Sequence, residues 1–326
     1  MNILFRLANH TLSPAGGRAR LSILIYHRVL PQADPMLPDV PDARRFEQLM
    51  RALRASFNVL PLGEAATRLH NGTLPARSAC ITFDDGYADN ATVALPILKK
   101  LGLPATFFVS PGFLNGGRMW NDTVMETARR LPAGPIDLTT IDSATLDLPT
   151  LTVDDASSRR HLAETVIRAT KHLPPHQRQH KVDAFATRVT ALPDDLMMTD
   201  AQVIELHRAG MEIGAHTMTH PILAKIDNAT AEHEIRDSKL YLEDLLQTNI
   251  DLFAYPNGKP VQDYLPQHVR MVRDLGFRAA VSTAWGVSTS GSDLYQLPRF
   301  TPWEHDRLRF LTRLTLNQIK RQHLIS

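Results

Sequence analysis

The sequence predicts an α/β fold: a mostly parallel sheet, closed as a barrel or doubly wound, with helices packed outside it. Three observations predict it. Short apolar, β-rich runs alternate with amphipathic helical patterns, the order of strand–helix–strand crossovers. Those runs are apolar along nearly their whole length, as strands are when both faces are buried. Six or seven such units follow one another between residues 21 and 302.

The elements follow in order. Leu21–Tyr26 (LSILIY) is short and aliphatic, and reads as the first buried strand. Residues 46–56 (FEQLMRALRAS) have the spacing of an amphipathic helix. Residues 79–83 (ACITF) form the next strand and run into Asp84-Asp85-Gly86. Residues 91–101 are helical and stop at Gly102, a common C-terminal residue. Residues 105–110 (ATFFVS) are a third strand. Thr199, with Gln202 three residues on, makes a capping box for a helix that ends at Gly210. Residues 211–215 (MEIGA) lead as a strand into His216. Residues 230–246 form a long amphipathic helix. Strands at 252–255 and 278–282 follow, with a helical pattern over 270–275 before the second. Residues 113–198 break the rhythm. They are rich in Pro, Thr and Asp over 132–155 and then polar and helical, so they read as an insertion on one loop, helical in its second half.

Composition excludes several classes. With 326 residues and one cysteine, Cys80, the chain has no internal disulfide and needs none to hold a core. Cys80 reads as buried filler. An apolar fraction of 43% and a charged fraction of 21% argue for a folded chain. A net charge of +2 does not point to nucleic acid. No apolar run approaches the ~18–20 residues of a membrane span, and the N-terminus lacks the basic-then-apolar order of a signal peptide. The expectation is a cytoplasmic protein. Both ends are basic: residues 1–28 carry four Arg and no acid, and residues 299–326 six Lys or Arg against two acids. Peripheral association with an anionic membrane is therefore the alternative.

Polar residues gather at the C-terminal ends of the apolar strands. Asp84 and Asp85 follow ACITF, His216 and His220 follow MEIGA, His27 follows LSILIY, and Asn257 follows LFAYP. In parallel α/β folds these ends share one rim, where active sites are built. His216 and His220, four apart, would stand on one side of a helical turn and suit one metal. Adjacent Asp84 and Asp85 repel each other unless a cation sits between them. One Asp with two His is the donor set of a catalytic zinc site, and it also serves non-haem iron. The second Asp can then take a proton from water attacking a carbonyl. His27 can protonate a leaving amine. Together these residues describe hydrolysis of an acyl bond.

With these residues in place, the chain resembles the NodB-type polysaccharide deacetylases, carbohydrate esterase family four. Thr82-Phe83-Asp84-Asp85-Gly86 matches the family's first motif, and His216-Thr217-Met218-Thr219-His220 matches its second, H-[ST]-x-x-H. The similarity covers residues 23–112 and 199–300. The resemblance implies a deformed (β/α)7 barrel of the NodB-homology type, here with a largely helical insertion, and metal-dependent N-deacetylation of a sugar. It implies Asp84 as general base. It implies Asp85, His216 and His220 as ligands of one divalent metal, zinc first, with nickel, cobalt or ferrous iron as alternatives. The domain organisation expected is an N-terminal arm (1–20), one catalytic domain (21–302) interrupted by 113–198, and a C-terminal helix (303–326).

Three motifs depart from the family pattern. The third, R-P-x-Y-G, stands as Ala254-Tyr255-Pro256-Asn257-Gly258, without its Arg; the Asn257 backbone N–H is the implied oxyanion donor. The fourth, D-S-x-D-W, stands as Val281-Ser282-Thr283-Ala284-Trp285, without either Asp. Arg299, in Leu297-Pro298-Arg299, is the substitute cation beside Asp84, or else a surface side chain. The fifth, L-x-H, has no counterpart there, but Ile25-Tyr26-His27 carries the pattern on the first strand. A closed barrel brings its first strand beside its last, so His27 is the proposed acid and His305 the runner-up. Trp120 is a candidate sugar-groove wall. His161, His172, His176 and His180 read as solvated side chains of the insertion. The expected function is removal of N-acetyl groups from an amino-sugar polysaccharide or glycan precursor. Alternatives are an amidohydrolase of small cyclic amides or imides, and an inactive carbohydrate-binding relative.

Overall fold

The computed structural model describes residues 2–138 and 150–319. Residue 1 of the expected N-terminal arm, residues 139–149 of the Pro/Thr/Asp-rich stretch and residues 320–326 of the expected C-terminal helix lie outside the described residues.

Helix α1 (Asn2–Leu12) forms in the N-terminal arm. Strand β1 (Leu21–Tyr26) leads through a loop to α2 (Ala43–Ser56), whose N-terminus is capped by the Asp42 carboxylate. Strand β2 (Asn58–Val59), α3 (Leu62–His70) and β3 (Ser78–Phe83) follow. A wide π turn over Asn90–Ala94 opens α4 (Leu95–Leu101), which stops at left-handed Gly102. A continuous α-helix over 91–101 does not form, because Pro96 brings no N–H to its ladder. Next come β4 (Thr106–Val109), α5 (Trp120–Arg130), the hairpin β5 (Gly134–Ile136) with β6 (Leu151–Val153), α6 (Ala156–Thr170) and α7 (Pro175–Ala186). Helix α8 (Asp200–Arg208) starts with the Thr199–Gln202 capping box. The chain then runs through β7 (Glu212–Ala215), α9 (Asn228–Leu246), β8 (Leu252–Ala254), α10 (Pro266–Asp274), β9 (Ala279–Val281) and α11 (Arg307–Asn317).

The strands pair in parallel in the order β1-β3-β4-β7-β8-β9, with β2 beside the start of β3. The segment 297–300 closes the curl. Leu297 bridges Val281 of β9, and Phe300 bridges Leu24 of β1. Four backbone hydrogen bonds of 2.7–3.0 Å, from Ser282, Leu297, Ile25 and Phe300 N–H groups, make that closure.

Because strand side chains alternate, each strand feeds two cores. Ile23, Cys80, Phe108, Ala254, Val281 and Leu297 fill the interior. Leu24, Phe83, Phe107 and Phe253 face the outer helices and pack with Phe46 and Leu98. Helix α3 adds Leu62, Ala65, Ala66 and Leu69 to the interior core. Its first N–H groups, of Leu62 and Gly63, donate to Glu212 at the start of β7. That end of the barrel is therefore plugged, which leaves the C-terminal ends of the strands open for a site. Helices α5, α6 and α7 of the insertion hold a core of their own, with Val124, Leu162, Val166 and Phe185 fully buried.

Candidate active site

The strand ends meet at a cavity of about 430 Å³, lined by Asp84, Asp85, His216, His220, His27 and Asn257. Cys80, Thr82 and Asp84 alternate along one face of β3, which carries Asp84 inward. Asp85 and Gly86 then take φ of +82° and +93°, turning the chain so that the second carboxylate also faces the cavity.

Arg299 enters from the closing segment and is fully buried. Its Nη1 and Nη2 donate to the two oxygens of Asp84, each at 2.7 Å. Nη1 also reaches Thr82 Oγ1 at 3.2 Å, and Nε donates to the Ser282 carbonyl at 2.9 Å. This fork fixes the carboxylate plane as well as its charge. Burial alone would raise the Asp84 carboxyl, but Arg299 and then His216 outweigh it and hold it below the ordinary range.

His216 and His220 do not stand on a helical turn, contrary to the expectation from their spacing. Thr217 and His220 both have left-handed φ, +60° and +53°. His220 precedes Pro221, which disfavours helix at that residue. The loop is built from polar contacts instead. Ser110 Oγ donates to the His216 carbonyl (2.8 Å), and the His220 N–H donates to Thr217 Oγ1 (3.1 Å). Glu234 of α9 accepts from Thr219 N and Oγ1 at 2.8 and 2.6 Å. The imidazoles still meet, with ring centroids 4.8 Å apart.

His216 Nδ1 lies 2.7 Å from the Ala254 carbonyl, so that nitrogen must be the donor. Its Nε2 is turned toward Asp85. His216 Nε2 and His220 Nε2 are each 3.4 Å from the same Asp85 oxygen. The donor atoms of the three residues all lie within 4.8 Å of one another. Ligands ~2.0–2.1 Å from a tetrahedral centre are about 3.4 Å apart, so two of these spacings already fit one divalent ion. Asp85 is held well below the carboxylate range: burial raises it, but the contact from His216 outweighs that. Burial drives His220 down to about 4, which leaves it a neutral donor at neutral pH.

The other expected residues fall as follows. His27 is exposed at the cavity mouth, and its carbonyl accepts from Asn90 Nδ2 at 2.8 Å. Asn257 has a left-handed φ of +57° and is tied by its carbonyl to Thr283 Oγ1 at 2.7 Å. His305 lines a different hollow, with Asp42 and Arg45. Trp120 lines the cavity, with the Arg178 guanidinium 4.8 Å over its ring. His161, His172, His176 and His180 are exposed, and Cys80 is buried.

Sequence reasoning missed Asp122. It comes from α5 of the insertion, is 8% exposed, and lines the cavity. Tyr87 Oη lies 3.1 and 3.0 Å from its oxygens, and the Arg28 guanidinium sits 4.7 Å over the Tyr87 ring. Arg28 is itself paired with Asp89 at 2.7 Å. Burial, with Asp85 and Glu126 nearby, pushes the Asp122 carboxyl up to about 7 against the pull of Arg28 and Tyr87. No motif covers residues 113–198, so spacing gave no signal for it. Arg28 had one: it follows His27.

Three comparisons place the chain among known proteins. The profile described as polysaccharide deacetylase matches residues 71–280. YxkH of Bacillus subtilis (strain 168) is 22% identical over 283 residues, which cover 86% of this chain and 71% of that protein. The Streptococcus pyogenes deacetylase PplD, solved in complex with acetate, superposes with a TM-score of 0.60 at 21% identity, covering 93% of this chain and 99% of that one. IcaB from Ammonifex degensii gives 0.60 at 20% identity, covering 93% and 98%. At such identities the two superpositions establish the fold, a (β/α) barrel of the NodB type.

Proposed function

Because the chain belongs to the polysaccharide deacetylase family, whose members are hydrolytic deacetylases of carbohydrates, we propose that it is a metal-dependent N-deacetylase of an amino-sugar polysaccharide or glycan precursor. The observation that carries this reading is the convergence of the Asp85, His216 and His220 donors within 4.8 Å, beside Asp84 clamped by Arg299.

Asp85, His216 and His220 would hold one divalent metal, with zinc first among zinc, nickel, cobalt and ferrous iron. When bound, such an ion polarises the amide carbonyl and lowers the pKa of the attacking water. Asp84, kept ionised by Arg299, accepts the proton of that water. Arg299 is a positioning residue; it fixes the carboxylate and does not touch substrate. The Asn257 N–H donates to the oxygen that gains charge as water adds to the acetyl carbon. His27, at the mouth, protonates the amine as the C–N bond breaks. Acetate and the free amino sugar leave.

The test is direct. Purified protein is expected to carry about one divalent ion per chain, and chelation is expected to abolish acetate release from N-acetylglucosamine oligomers. Asp84→Asn should keep the metal and lose turnover by a factor of roughly 10²–10⁴, the usual worth of a general base. Turnover surviving that change would remove Asp84 from the role of base. Hydrolysis of cyclic imides in place of glycans would move the reading to an amidohydrolase. Metal and glycan binding with no hydrolysis of either would leave an inactive carbohydrate-binding relative.

A further inference from the structure

One wall of the cavity belongs to the insertion. Helix α5 brings Trp120 to it, the residue after α6 brings Lys171, and α7 brings Arg178. The carboxylates that line the same cavity already have partners. Asp84 is clamped by Arg299, Asp85 faces His216 and His220, Asp122 accepts from Tyr87, and Glu126 pairs with Arg129 and Arg130. Arg28 in turn is held by Asp89. Two cations are left over, Lys171 and Arg178.

Arg178 is 8% exposed, yet among the described residues no carboxylate pairs with it. Its Nε makes no hydrogen bond, and its Nη1 reaches the Lys171 carbonyl only at 3.5 Å. Burial pulls its pKa down and no neighbouring acid pulls it back, although a guanidinium stays charged all the same. Lys171 is half-buried and likewise has no carboxylate partner among the described residues. A charge stripped of water is ordinarily paired, because desolvation costs more than any neutral contact returns. The stack on Trp120, 4.8 Å from the ring centroid, holds the guanidinium in place without neutralising it.

We propose that Arg178 and Lys171 form an anion subsite, which takes a carboxylate or phosphate group carried by the same sugar unit as the acetamido group. The layout of charge in the cavity selects that occupant. Asp84 and Asp85 repel an anion at the strand ends but accept a neutral acetamido group there, while the insertion wall lacks a negative charge. A cavity of about 430 Å³ is the size that holds one small ligand, so one sugar unit supplies both groups. The inference rests on the deacetylase reading and narrows its substrate from any acetylated glycan to one that carries negative charge.

Calorimetry on the metal-loaded Asp84→Asn protein tests it, since that protein is expected to bind without turnover. The probes are N-acetylglucosamine, its 6-phosphate, its 1-phosphate and its uronic acid, oxidised at C6. At low salt at least one anionic probe is expected to bind about tenfold or more tighter than the neutral sugar, the scale of one charge-assisted contact. Added salt should shrink that advantage. Arg178→Gln should remove most of it, while Arg178→Lys, which keeps the charge, should retain part. The probe that gains tells carboxylate from phosphate. Melting curves give a second readout. Arg178→Met keeps an apolar stem against Trp120 and removes an unpaired buried charge, so Tm should hold or rise. Equal binding of all four probes overturns the inference, as does an advantage that survives Arg178→Gln. A fall in Tm with neutral and charged probes weakened alike also overturns it and makes Arg178 a prop for Trp120. Inorganic phosphate bound as tightly as the phosphosugars overturns it in favour of a free anion. Acetate release by the unsubstituted enzyme separates the two readings. Release from glycans with no preference for charged probes leaves the deacetylase standing and removes the subsite. Arg178-dependent binding of a charged probe with no release from any glycan leaves the subsite and removes the deacetylase.

Discussion

At the residue scale, Arg299 and Asp84 form a buried ion pair, and buried pairs have a characteristic asymmetry. Each partner has been stripped of water, so removing one leaves a bare charge. Arg299→Met is expected to destabilise the fold by about 3–5 kcal/mol in urea titrations. Adding Asp84→Leu to that variant should recover much of the loss. A single substitution costing under about 1 kcal/mol would mean that the pair is solvated in solution. His27 is different, because it is exposed at the cavity mouth and outside the metal-donor cluster. His27→Ala should lower kcat by roughly 10²-fold or more with metal content unchanged. Metal loss in that variant would make it a ligand. The two histidines of H-T-M-T-H were legible from spacing, but their support was not. The left-handed turn at Thr217 and the Glu234 strut depend on contacts with α9, which no local pattern announces.

At the element scale, the approach of one loop to another sets the histidines. The Gly112 N–H donates to the Met218 carbonyl at 3.0 Å, and a Cβ there would meet that oxygen at 2.6 Å. A side chain at 112 therefore has to push the histidine loop away. Helix α5 makes the other contribution by carrying Asp122 to the cavity from outside the barrel. An unfolded carboxyl titrates near ~3.9, whereas Asp122 is pushed up to about 7. Between those values the folded chain keeps a proton that the unfolded chain has released. The contribution of Asp122 to stability therefore falls as pH rises from about 4 to 7 and stays lower above that, by an amount of the order of a few kcal/mol. Asp122→Asn should flatten the dependence of Tm on pH over this range and raise Tm at pH 8. An unchanged slope would show that Asp122 is ionised when folded. The helices of the insertion's second half, α6 and α7, could be read from its polar helical stretches, whereas α5 forms in the first half, where no helix was expected. Its delivery of a carboxyl to the site could not be read, since docking an insertion is a tertiary event.

At the scale of the whole molecule, the barrel depends on residues 297–300 bridging β9 to β1. The same segment carries Arg299, so closure of the barrel and the clamp on Asp84 share one piece of chain. Phe300 is 1% exposed in the outer core, and Phe300→Ala should cost about 3–5 kcal/mol. It should also lower activity per folded molecule, because Arg299 moves with its neighbour. Leu314→Ala, at a fully buried position of α11 in the same core, should lose stability and keep that activity. Equal specific activities for the two variants would separate closure from the site. Among the described residues no helix is long and apolar enough to cross a membrane.

The sequence by itself determined the main strands and the residues gathered at their ends. Burial on both faces made the strands read as continuous apolar runs, and the motif residues sit within a few positions of strand ends, so β1, β3, β4 and β7 and the Asp/Asp and His/His pairs were legible. Tertiary structure alone decided what meets across the barrel. Arg299 lies 215 residues from Asp84 along the chain, and only closure of the sheet brings the two together. Sequence periodicity reports which face of an element is buried, because that is a local property. It does not report what lies opposite, because long-range contacts follow from how the whole sheet curls and closes.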